Sequence, residues 1–201
     1  AYIDGHVQVS RLSYSRGGSL FSNEIELMHF HTSLNLGACD ISSEHFVCFV
    51  ACGEAVLMFD LGMRRQISPS IKLGFKVTHI SIDDEAAVVW IAGGCEVTVC
   101  TISGDFLFST TLQKEVTSLY ASPLPEYVPN RFTCVGHNDG SVSFLNFSYR
   151  RMSIIIVYHI RVSEEPIVLV KVDAKAQRAI AVCSNNEVYD FEYVGSNLKP
   201  L

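Results

Sequence analysis

Short runs of Val, Ile, Phe, Tyr and Thr recur along the whole chain, separated by Gly, Asn, Asp and Pro. This pattern predicts β-strands joined by turns. No window carries a helical stripe of useful length. A turn, an alternating strand and a fixed slot near the strand's end recur five times. The copies begin at Asp4-Gly5, Gly53-Glu54, Gly94-Cys95, Asp139-Gly140 and Asn186-Glu187, and the slots hold Ser10, Phe59, Cys100, Leu145 and Phe191. Successive slots are 49, 41, 45 and 46 residues apart. A four-stranded propeller blade repeats at roughly 40–45 residues. The expected fold is all-β, a β-propeller of four-stranded antiparallel blades with about four to five blades or partial blades present.

The blade fragments are expected at 1–32, 33–73, 74–112, 113–162 and 163–201. The second takes strands at Leu36–Ile41, Phe46–Ala51, Ala55–Leu61 and Gln66–Leu73. The third takes Lys76–Ile82, Ala87–Ala92, Glu96–Ile102 and Phe106–Thr111. The fourth takes Val116–Ala121, Arg131–Val135, Ser141–Phe147 and Ser153–Ile160, with Pro123, Pro125 and Pro129 in its first loop, where a central strand would not tolerate them. The last takes Ile167–Val172, Arg178–Cys183, Val188–Tyr193 and an outer strand near Val194–Leu201. The first supplies only Val7–Leu12 and Glu24–Thr32, joined by the Gly- and Ser-rich loop Ser13–Asn23. Strands packed on both faces should read as continuous apolar runs, as Phe46–Ala51 and Ala87–Ala92 do. Three full blades and parts of two more are expected to form part of a larger ring, because closure takes at least about four blades.

Composition agrees with a packed globular domain. Of the 201 residues, 48% are hydrophobic and 18% charged, and the formal net charge is −6. That balance argues against nucleic acid as a partner, since affinity for phosphate comes from Lys and Arg. The apolar runs fall well short of the about 20 residues that a membrane helix needs. No basic segment followed by an apolar stretch opens the chain, so no signal peptide is expected. A start at Ala1 without Met suggests a piece of something longer. Seven cysteines, mostly inside apolar runs, fit free buried thiols in a reducing, cytoplasmic setting.

The third-to-fourth blade run carries a resemblance. It reads Val99-Cys100-Thr101-Ile102-Ser103-Gly104-Asp105-Phe106-Leu107, then Val116-Thr117-Ser118-Leu119, then Val135-Gly136-His137-Asn138-Asp139-Gly140-Ser141-Val142-Ser143-Phe144. Over roughly Phe46–Phe147 the chain resembles a diverged C-terminal WD-repeat propeller of BEACH-domain proteins. It departs from that family at the Trp-Asp dipeptide. Those slots hold Ser10-Arg11, Phe59-Asp60, Cys100-Thr101, Leu145-Asn146 and Phe191-Glu192, and the only tryptophan is Trp90. The buried His–Ser/Thr–Asp–Trp network of well-formed WD blades is therefore expected to be incomplete. The resemblance implies a large cytoplasmic protein, peripheral to membranes, acting in vesicle or lysosomal traffic. Its propeller would be a non-catalytic scaffold without cofactors, binding proteins and the rest of its own chain. A coat or ubiquitin-ligase adaptor is the alternative of the same fold.

Local chemistry is sparse. Cys48 and Cys52 lie four residues apart, about 13 Å along a strand, too far to share one zinc at about 2.3 Å per Zn–S bond. Cys95 and Cys100 point to opposite faces of a regular strand. His29 and His31 share a strand face but have no third ligand nearby, and no metal is expected. Gly136, His137, Asp139 and Gly140 read as a structural turn, with His137 orienting Asp139. Glu164-Glu165 and Asp83-Asp84 read as solvated loop carboxylates. Turns after the first and third strands of each blade share one face. This places Arg64, Arg65, Arg131, Arg150, Arg151 and Lys175 on a candidate partner-binding rim for an acidic partner or anionic lipid. Asp83, Asp84, Glu85 and Asp105 fall on the same side. An enzyme would need polar groups in the central channel, where the inner strands offer Asp40, His79, Lys171 and Asp173.

Overall fold

The computed structural model describes residues 6–13, 23–31, 36–122, 132–173, 178–194 and 197–200. It contains four four-stranded antiparallel sheets and one two-stranded sheet. β1 (His6–Ser13) and β2 (Asn23–His31) form an antiparallel hairpin in the segment where the first blade fragment is expected. Blade 2 comprises β3 (Leu36–Ser42), β4 (Val47–Cys52), β5 (Ala55–Asp60) and β6 (Arg65–Lys72). Blade 3 comprises β7 (His79–Asp83), β8 (Val88–Gly93), β9 (Glu96–Thr101) and β10 (Phe106–Thr111). Blade 4 comprises β11 (Val116–Ala121), β12 (Thr133–His137), β13 (Ser141–Ser148) and β14 (Ser153–Arg161). Blade 5 comprises β15 (Ile167–Asp173), β16 (Arg178–Cys183), β17 (Val188–Val194) and β18 (Asn197–Pro200). Each blade is a meander in chain order. Residues 76–78, expected at the start of β7, belong to the connector entering it. The loops 14–22 and 123–131 lie outside the described residues.

The first strands β3, β7, β11 and β15 contact one another in sequence and form the inner wall. The fourth strands lie outermost. Between blades, apolar faces stack. Phe49, Val56 and Met58 of blade 2 pack on Ile80, Ile82, Val89 and Ile91 of blade 3. Trp90 and Val99 of blade 3 meet Val135 and Leu145 of blade 4. Phe144 and Cys134 of blade 4 meet Ile167, Ala179 and Phe191 of blade 5. β8 is buried at every position, because a blade with neighbours on both sides has no wet face. The repeat slots Phe59, Cys100, Leu145 and Phe191 are all buried. Packing at these positions does what tryptophan does in a regular WD blade. Ser10 of the first copy lies in β1, and its side chain is outside the described part.

Polar side chains join the inner strands. The Ile82 amide donates to Asp40 Oδ2 at 2.8 Å, Ala121 to Ser81 Oγ at 2.9 Å and Val170 to Ser118 Oγ at 2.9 Å. Each bond links one blade to the next.

The opposite side of blades 2, 3 and 4 is locked by the second turn. The carbonyls of Gly53, Gly94 and Gly140 accept from Val77, Val116 and Val162 at 2.9, 2.7 and 3.0 Å. Val77 and Val162 lie in the connectors leading to the next blade, and Val116 opens β11 of the next blade. All three glycines have positive φ, and Asn186 takes the same conformation (φ 68°) in blade 5. Only Gly140 is also crowded, since a Cβ there would sit 2.2 Å from the Ser163 carbonyl oxygen, whereas Gly94 has open space. Gly140→Ala is therefore expected to cost well over the about 1 kcal/mol of a left-handed alanine. Gly94→Ala should cost about that amount. Denaturant unfolding of the two variants checks the order, and equal losses would refute the steric argument.

Candidate functional site: the turn face and the His137 turn

In each meander, the turns after the first and third strands fall on one face. Tyr149, in the β13–β14 turn, donates its hydroxyl to the Ala86 carbonyl in the β7–β8 turn at 3.0 Å. His45 Nε2 reaches the Asp84 carbonyl at 3.2 Å, joining the first turns of blades 2 and 3.

Arg64 closes the β5–β6 turn and Arg65 opens β6. Arg150 and Arg151 sit in the β13–β14 turn. All four are exposed, and none forms an ion pair among the described residues. Arg131 and Lys175 of the expected rim lie outside the described residues. Three carboxylates of this face bond within their own turns, while Glu44 and Glu85 stand exposed. Asp60 Oδ1 accepts the Met63 amide at 2.8 Å, Asp83 Oδ1 the Ala86 amide at 3.2 Å, and Asp105 Oδ2 the Thr101 hydroxyl at 3.3 Å. Asp83 is buried, unlike the solvated loop carboxylate expected of it. Large apolar side chains also surface here: Phe46, Met63, Tyr149 and Met152. Phe46, Arg64, Ala87 and Met152 each have positive φ as the last residue of a four-residue turn. No sequence signal marks these positions, since Gly or Asn is the usual occupant.

The channel candidates have structural duties. Both Asp40 oxygens accept backbone amides, from Ile41 and Ile82. Burial lifts its carboxyl above the usual value despite those bonds. His79 Nε2 donates to the Thr117 carbonyl at 3.0 Å, and its Nδ1 faces the Thr78 hydroxyl at 2.8 Å. Lys171 Nζ lies 4.0 Å from the centre of the Tyr120 ring, a cation–π contact. Asp173 lies at the end of β15.

The turn around His137 differs in detail from expectation. Gly136 lies within β12, where a Cβ would meet Ile167 at 2.5 Å. His137 ends β12, buried, and bonds to Ser143 Oγ through Nε2 at 2.7 Å rather than to Asp139. Ser143 Oγ continues to Nδ1 of exposed His159 at 2.9 Å. One hydroxyl proton can satisfy only one of the two ring nitrogens, so the other must present N–H. Burial, reinforced by His159, holds the His137 imidazole below its usual pKa. Asp139 is fixed by the Ser141 hydroxyl at 2.6 Å and by Lys114 Nζ at 3.3 Å. Burial alone would raise its carboxyl, but the Ser141 bonds and Lys114 outweigh it and hold the pKa at about 2.

Five of the seven cysteines are buried, while Cys39 is exposed and Cys95 half-buried. Cys95 precedes β9 rather than lying in it. Burial pushes the Cys48 and Cys100 thiols up to about 12, far from reactive thiolates. The side chains of His29 and His31 lie outside the described part.

No protein-family model matches the chain. No curated protein matches it either. Solved structures do. The Sqt1 protein of Chaetomium thermophilum, solved bound to the N-terminus of the ribosomal protein L10, superposes with a TM-score of 0.73 at 16% identity. The match covers 99% of this chain and 57% of Sqt1. Sqt1 is a WD-repeat β-propeller protein. The chain is a partial propeller of that WD-like kind. In all, 1202 solved chains match, so the architecture is widespread and selects no activity by itself.

Two imidazoles held below their usual pKa, half-buried His79 and buried His137, set a sign for pH dependence. In the unfolded chain His79 and His137 titrate near 6.5, and in the fold they titrate lower. Their stabilisation is complete above pH 6.5 and declines as pH falls below it. The melting temperature is expected to fall from about pH 7.5 to about pH 5.5, and His137→Gln to flatten part of that fall. An unchanged slope in the variant would assign the effect elsewhere. At more acidic pH the depressed Asp139 carboxyl acts in the same direction. Its stabilisation is present above 3.8 and lost as pH drops towards about 2. After screening it is worth about 1 kcal/mol, so Asp139→Asn should remove about that much at neutral pH.

Proposed function

We propose that this propeller is the recognition module of a non-catalytic scaffold and docks protein partners on the face bearing the first and third turns. The carrying observation is the asymmetry of that face. Its arginines stand exposed and unpaired among the described residues while three of its carboxylates bond within their own turns. Phe46, Met63, Tyr149 and Met152 surface beside them. Exposed apolar groups mixed with arginine are the composition of protein-binding hot spots. Sqt1, of the same fold, was solved with the N-terminus of a ribosomal protein, which supports a partner bound through a chain segment. The resemblance to BEACH-domain propellers extends the reading to a large cytoplasmic protein that works peripherally at membranes in vesicle or lysosomal traffic.

Cross-linking mass spectrometry of the protein in cells tests the docking face. Inter-protein links are expected to concentrate on residues 43–46, 61–65 and 149–152. Links confined to the opposite, Gly53–Gly94–Gly140 face would refute it. The parent transcript tests the family reading, for which a BEACH-like domain encoded upstream is expected. A start codon immediately before Ala1 would remove it.

A further inference from the structure

The fourth strand of every blade ends its sheet, so its outward backbone groups have no sheet partner. Most of these edges are blunted. β6 contains Pro69 and is bounded by Arg65 and Lys72. β18 has four residues and includes Lys199 and Pro200. β10 ends in Ser109-Thr110-Thr111. β14 differs from all three. It has 9 residues, no proline and no charge before Arg161, and it contains the run Ile154-Ile155-Ile156-Val157. Opposite β13, Phe144 pairs with Tyr158 and Leu145 with Ile156, leaving Val157 unpaired as a bulge. The bulge breaks the alternation, and Ile155, Ile156 and Val157 are all exposed.

The turn leading into β14 continues the strip. Tyr149, Met152, Ile155, Ile156 and Val157 are each 38–49% exposed. The turn is held in place for display. The Tyr149 hydroxyl bonds to blade 3, its ring packs edge-on to Phe147 at 4.9 Å, and the Arg151 amide donates to Ser148 Oγ at 3.3 Å. Between these apolar groups stand Arg150 and Arg151. The corresponding turn of blade 2 also carries Met63, Arg64 and Arg65, but its strand continues with Gln66, Ser68 and Pro69.

Resting on the scaffold reading, we propose that the β13–β14 hairpin is a docking strip for an extended partner segment that carries aliphatic side chains beside Asp or Glu. The open edge of β14 offers backbone hydrogen bonds, as in β-strand addition. Ile155 and Ile156 gain from leaving water. The guanidinium forks of Arg150 and Arg151 pair carboxylates with defined geometry. An anionic lipid surface fits less well, because the chain carries a net charge of −6, which opposes adsorption to a negative plane.

The test is selection of a random short-peptide library on the full chain, followed by binding measurements on the chosen peptides by fluorescence anisotropy. Selected sequences are expected to place Asp or Glu next to Leu, Ile or Val. Binding should weaken about tenfold or more in Arg150→Glu/Arg151→Glu and in Ile156→Lys. Both changes lie at exposed positions, and unchanged melting curves verify that the variants fold. Arg64→Glu/Arg65→Glu should stay within about twofold of the parent. The proposal is overturned if no peptide is selected, if those selected lack acidic residues, or if binding survives both hairpin variants. Binding of phosphatidylserine vesicles through the hairpin in place of peptide would also overturn it. Cellular cross-links on the turn face with normal peptide binding by the hairpin variants would retain the scaffold reading and remove this one alone.

Discussion

The innermost strand of a propeller blade has a sheet partner on one side only. β7 pairs with β8 and with no other strand of its sheet, so amides along its other edge need acceptors from elsewhere. The side chains of Asp40, Ser81 and Ser118 supply them, each reaching one blade forward. An unmet buried amide costs about 1–3 kcal/mol. This places a hydrogen-bonding requirement at the same seam where the apolar faces of the blades close. The His79–Thr117 bond and the bond from the Thr117 hydroxyl to the Ile167 carbonyl extend the seam along the inner wall. Blade spacing follows from these contacts, and with it the placement of every turn on the outer face.

Much of the fold was legible because its signals are local. Alternating strands, Gly-centred turns and a slot recurring every 41 to 49 residues located the strands to within a few residues. The slot identified the buried positions Phe59, Cys100, Leu145 and Phe191, although none of them is tryptophan. The inner seam was not legible. Asp40 and Ile82 are 42 positions apart, and nothing local in either segment tells of the other. For that reason Asp40 and His79 read in sequence as channel groups available for chemistry, whereas in the fold their polar atoms hold neighbouring backbone. His137 likewise sits beside Asp139 in sequence but finds its partner across the sheet in Ser143.

The rim was legible only as a distribution of charge. Arg64, Arg65, Arg150 and Arg151 can be placed on one face by counting strands. Whether those arginines stand free of ion pairs depends on where the neighbouring carboxylates turn. The inward bonding of Asp60, Asp83 and Asp105 is a matter of turn geometry. Residues such as Phe46, Arg64, Ala87 and Met152 hold that geometry in left-handed conformations that their side chains resist. The rim is therefore a product of backbone shape as much as of composition.

The seam also bears on how such a chain changes over time. Each staple couples a blade only to the next, so cohesion passes along the arc by nearest neighbours, as in other repeat architectures. A substitution within one blade is felt at two boundaries and scarcely beyond them. Blades can then drift apart in sequence one at a time while the arc persists. The signature dipeptide can vanish from every copy, and family-wide sequence likeness can fade below recognition, long before the architecture itself is at risk.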